Sequence, residues 1–87
     1  MDLQGDLVGQ DILFQIMELR EEVDDALTDE TLRELYEQNK LRIRDTCEEL
    51  GLAFKRNDFT SAQRLTAILQ YWNKIETSIV DKMNYME

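Results

Sequence analysis

Eighty-seven residues allow one domain with a thin core, burying a little over ~60% of the surface that the unfolded chain exposes. Nineteen acidic residues against ten basic ones leave a net charge of −9, which excludes nucleic acid and anionic membrane surfaces and suits a basic or mixed-charge protein partner. With no histidine, one cysteine and no glycine-rich phosphate loop, the inventory excludes His-based catalysis, zinc hydrolases and nucleotide cradles, so no catalytic residue, cofactor or metal site is expected.

Residues 1–9 (MDLQGDLVG) contain two of the three glycines and no clear period, and they read as a flexible lead-in. The domain proper occupies 10–87. Its first helix is expected over about 10–28, because Ile12, Ile16, Leu19, Val23 and Ala26/Leu27 recur at steps of three and four. Thr28 or Asp29 can cap a second helix over about 30–56, whose inward face is Leu32, Leu35/Tyr36, Asn39, Ile43, Cys47, Leu50 and Ala53/Phe54. Cys47 is therefore expected as a buried thiol. Gly51 lies within this helix and marks either a close approach by a neighbour or a bend. Asp58 or Thr60 can cap a third helix over about 59–84, with Leu65, Ile68/Leu69, Trp72, Ile75, Ile79 and Met83 inward. Proline is absent and nothing alternates as a strand would. The fold class is all-α, and two short connections make it an antiparallel three-helix bundle. No apolar run approaches the ~20 residues that span a bilayer, and the start does not read as a secretory signal.

The first helix carries more apolar surface than one buried stripe requires. With Ile12 at zero and ~100° per residue, its inward face lies within ~60° of the origin, whereas Leu13, Met17 and Phe14 fall at ~100°, ~140° and ~200°. Glu21, Asp25 and Glu18 continue along that second side. A cluster of large apolar residues rimmed by acids is the pattern of a protein-binding patch. In the third helix Tyr71 falls beside the inward Trp72, at the flank, where an aromatic ring with a polar tip suits an interface.

The segments ILFQIMELREEVDD and NDFTSAQRLTAILQYWNKIE, separated by a charged helix, resemble the C-terminal domain of the HscB-type J-domain co-chaperones of iron–sulfur cluster assembly, fungal members above all. The likeness covers about Asp11 to Asp81. It implies a protein-binding domain that holds the IscU-type scaffold for delivery to a DnaK-class heat-shock chaperone. By position, it assigns the apolar contacts to Leu13, Phe14 and Met17, the acids to Glu18, Glu21 and Asp25, and an aromatic contact to Tyr71. A J domain needs a His-Pro-Asp loop, and this chain has neither histidine nor proline, so engagement of the chaperone is expected only through a J domain missing here. The resemblance implies the mitochondrial matrix, or the cytoplasm for a bacterial relative, and a monomer is expected.

Two other readings compete. A generic helical adaptor could use the same patch to dimerise. LREEVDD also resembles the small helical chorismate mutases, yet ALTDETLREL breaks the helix where those enzymes continue it, and a dianionic substrate is awkward in so acidic a helix.

Overall fold

The computed structural model describes residues 8–86, and within them run three helices: α1 (Gln10–Asp25), α2 (Asp29–Lys55) and α3 (Phe59–Met86). The all-α bundle read from the sequence is the one observed. At 1.5 Å per residue the two long helices each run ~40 Å, which sets the 45 Å long axis of the molecule. They form an antiparallel hairpin, and α1 lies on the α3 side of it.

The two connections are short because local side chains and backbone complete them. Thr28 is extended (φ −128°, ψ 152°), and its Oγ1 accepts from Thr31 N–H at 3.1 Å, which starts α2. At the other end Asn57 takes the left-handed conformation (φ 57°), with Asn57 N–H on Phe54 O and Asp58 N–H on Ala53 O. This pair of bonds closes the last turn of α2. Asp58 then caps α3, accepting from Ser61 N–H at 3.1 Å and from the Ser61 hydroxyl at 2.7 Å. Those two bonds hold the Asp58 carboxyl below its ordinary pKa. The cap is thus Asp58, and Thr60 stays exposed.

The core joins Ile16, Leu19, Val23 and Ala26 of the α1 region to Leu32 and Leu35 of α2 and Ala67, Ile68, Trp72, Ile75 and Ile79 of α3. A polar network crosses the hairpin. Asn39, fully buried, donates to Trp72 O at 2.9 Å, and Trp72 Nε1 donates to Thr46 Oγ1 at 3.1 Å. The Arg42 guanidinium covers the Trp72 ring at 5.7 Å; burial lowers its pKa, and Glu22 of α1 acts to raise it.

Two cations of α3 grip main-chain oxygens just before α1 and at its end. Arg64 Nη2 donates to Val8 O at 3.3 Å, and Lys82 Nζ donates to Val23 O and Asp24 O at 2.7 and 2.6 Å. These contacts place the start of α1 beside the start of α3, and its end beside the end of α3. The two helices are parallel.

Several expectations need correction. The lead-in lies outside the described residues for 1–7, but Val8 is completely buried in the core rather than part of a free segment. Gly9 has φ +85°, a conformation that glycine adopts without strain, and it turns the chain into α1. The first helix stops at Asp25, three residues early, and Leu27 points out at 85% exposure while Ala26 is buried. Cys47 is exposed because Thr46, one residue earlier, takes the inward position to meet Trp72. Ala53 faces the core and Phe54 does not. No atom lies within 4 Å of a Cβ placed on Gly51, so no helix approaches there.

Candidate protein-binding face

The outer side of α1 is the site that sequence periodicity singled out, and the structure leaves it open. Phe14 is 62% exposed and Met17 58%. Leu13 is half-buried and packs against the core, so it forms the inner edge of the patch rather than its crest. Glu18, Glu21 and Asp25 are exposed along the same side, about one, two and three turns beyond Phe14. Among the described residues no ion pair engages any of the three; the pairs present are Arg33–Asp29 and Arg44–Asp45. The face therefore offers two uncovered apolar side chains and three carboxylates without a counter-charge. Covering Phe14 and Met17 would stabilise a complex by ~1.5–3 kcal/mol each.

Why this face exists follows from the packing. Helix α1 buries Ile16, Leu19 and Val23 in the core, a single stripe, and Phe14, Met17, Glu18 and Glu21 on its opposite side are exposed. Residues four apart stack on one side of a helix, so Phe14, Met17, Glu18 and Glu21 are neighbours there without any tertiary contact to arrange them.

Tyr71 does not join them. Its ring is 7% exposed and belongs to the core, with the Lys74 ammonium 5.5 Å from its centroid. The expectation of a flank aromatic treats each helix as having one buried stripe. Helix α3 is covered by α2 on one side and by α1 on the other, so its buried arc is wide enough for both Tyr71 and Trp72.

A second open apolar surface was not anticipated. Phe54 and Phe59, 54% and 59% exposed, flank the α2–α3 turn and line a groove of 520 Å³ with Ala62, Gln63, Thr66, Ala67 and Gln70. Among the described residues no group of His, Cys, Asp or Glu side chains is arranged to hold a metal ion, and no helix is long and apolar enough to cross a membrane.

A family model described as the HSCB C-terminal oligomerisation domain matches residues 8–80, nearly the whole described structure. The chain belongs to this family. This HSCB C-terminal domain is also 27% identical over 70 residues to the J-type co-chaperone JAC1, mitochondrial, of Saccharomyces cerevisiae. That match covers 80% of the chain but only 38% of the yeast protein. No solved structure matches. Both assigned segments of the resemblance, and the helix between them, fall inside the 8–80 match.

Proposed function

We propose that this domain is a non-enzymatic binding module of an iron–sulfur cluster co-chaperone, and that it holds an IscU-type scaffold protein against the outer face of α1. The observation that carries the reading is the exposure of Phe14 and Met17 beside the unpaired carboxylates of Glu18, Glu21 and Asp25. The apolar pair supplies affinity at the centre of a contact, and the acids orient a partner with basic residues around an apolar patch. Family membership and the mitochondrial yeast relative support a matrix location for a fungal chain. Stimulation of a DnaK-class chaperone is the task of a J domain with its His-Pro-Asp loop, a sequence absent from these 87 residues.

Calorimetric titration against an IscU-type scaffold tests the proposal. Phe14→Ala and Met17→Ala are expected to weaken binding by about 2 kcal/mol or more for at least one of them, roughly thirty-fold, with helical content unchanged. Neutralising Glu18, Glu21 and Asp25 together slows association, most visibly at low salt. Unaltered affinity in the Leu13→Ala, Phe14→Ala, Met17→Ala triple variant rejects this face. Tyr71→Ala, by contrast, acts on stability, since the ring is part of the core.

The family description favours a second reading, self-association. The outer face of α1 suits it poorly. A two-fold pairing through that face sets Glu18, Glu21 and Asp25 against their own copies, and like charges in contact oppose assembly.

A further inference from the structure

Charge is not spread evenly over the molecule. Residues 50–75 carry four of the ten basic residues, Lys55, Arg56, Arg64 and Lys74, and only one of the nineteen acids, Asp58. The Asp58 carboxylate is already taken up by the Ser61 amide and hydroxyl. This stretch is the end of α2, the turn and the first half of α3. One end of the bundle is therefore basic, in a chain whose net charge is −9. The outer face of α1 has the opposite character, with Glu18, Glu21 and Asp25 along it.

The groove of Phe54 and Phe59 lies in the basic region. Its small residues are Ala62 and Ala67, and its polar lining, Gln63, Thr66 and Gln70, carries no charge. Cations stand at both ends. Lys55 follows Phe54, and Lys74 is one turn beyond Gln70 on the same side of α3. Both are exposed, and among the described residues neither belongs to an ion pair. Arg56 and Arg64 line the other side of the turn and add to the positive potential there. Thr66 Oγ1 donates to Ala62 O at 2.8 Å, so covering the groove leaves that donor satisfied. From residue 59 to residue 70 the axis of α3 rises ~16 Å, enough to seat about three turns of another helix. Two projecting rings beside two alanines form a surface that receives the apolar stripe of such a helix.

We propose that this groove docks an acidic amphipathic helix of a partner protein. Its apolar stripe covers Phe54, Phe59 and the two alanines, and its carboxylates face Lys55 and Lys74. The outer face of α1 suits a basic partner, so the two surfaces select by opposite charge and do not compete for one protein.

Fluorescence anisotropy with the 87-residue chain tests the proposal. The probe is a fluorescein-labelled helical peptide of about three turns, leucine along one stripe and glutamate elsewhere; its counterpart has lysine for glutamate. The glutamate peptide is expected to bind saturably, and less tightly as salt is added. Phe59→Glu and the Lys55→Glu/Lys74→Glu pair each weaken it by about ten-fold or more, with circular dichroism unchanged, while Phe14→Asp leaves it intact. Absence of saturable binding, or binding unaltered by both groove variants, overturns the proposal. So does a lysine peptide that binds as tightly and is lost with Phe59→Glu. Sedimentation of the unaltered chain and Phe59→Glu separates the other occupant. Self-association abolished by Phe59→Glu gives the groove to a second copy and overturns the proposal. A chain that stays monomeric, or whose association survives that substitution, supports it.

Discussion

Asn39 shows how one side chain fixes the pairing of two long helices. A hairpin of 27 and 28 residues with apolar faces could slide by one turn and still bury leucine and isoleucine. The amide of Asn39 bonds Trp72 O only in the observed register, and Trp72 Nε1 meets Thr46 only there as well. Asn39→Ala removes a buried hydrogen bond and opens a cavity against Trp72. It is expected to cost about 2–3 kcal/mol in urea unfolding, whereas a similar change at exposed Gln38 should stay within about 0.5 kcal/mol. The sequence placed Asn39 inward by its spacing, and Trp72 with it. What spacing could not resolve was a choice between neighbours. Thr46 or Cys47, Ala53 or Phe54, and Ala26 or Leu27 differ by ~100° around a helix, and only the position of the packing partner decides which turns in.

At the scale of the element, the caps were legible and the coverage was not. Thr28 and Asp58 occupy the start positions that their side-chain chemistry predicts, because a cap is a contact within four residues and needs no tertiary information. Asp58 also makes a pH dependence. Its folded pKa is lowered by the Ser61 bonds, so the stability it contributes is present above the ordinary carboxylate value of about 4 and is lost as pH falls through the lower folded value. The difference in Tm between the unaltered chain and Asp58→Ala should therefore be full at neutral pH and shrink on acidification below about pH 4; a constant difference rejects the mechanism. Coverage is a property of the whole arrangement. That α3 is shared by both neighbours, and so buries Tyr71 as well as Trp72, becomes visible only once α1 is seen to lie along it.

For the molecule as a whole, the division of labour is uneven. Helices α2 and α3 share the more extensive interface, and α1 is held by one stripe of side chains and two cations. Lys82→Met keeps the apolar stem and removes the donor to Val23 O and Asp24 O. It is expected to raise hydrogen exchange in the last turns of α1 well above that in α2, with a modest loss of about 1–2 kcal/mol in global stability. Equal protection of both helices in that variant would count against this anchoring role. The outward face of α1 could be read in advance because it is a local excess, more apolar side chains than one stripe can use. The groove at the α2–α3 turn was not legible in that way, because spacing offered Ala53 and Phe54 as alternatives and only the packing turned Phe54 outward.

The fastening of α1 by Arg64 and Lys82 has an evolutionary reading. Both cations grip carbonyl oxygens, which every amino acid provides, and the inward stripe supplies the rest of the adhesion. Substitutions at positions 14, 17, 18, 21 and 25, the face proposed to hold the scaffold, therefore leave untouched what keeps the helix seated. Lineages could diverge in partner preference along this ridge, tracking a drifting counterpart, without eroding the scaffold that displays it.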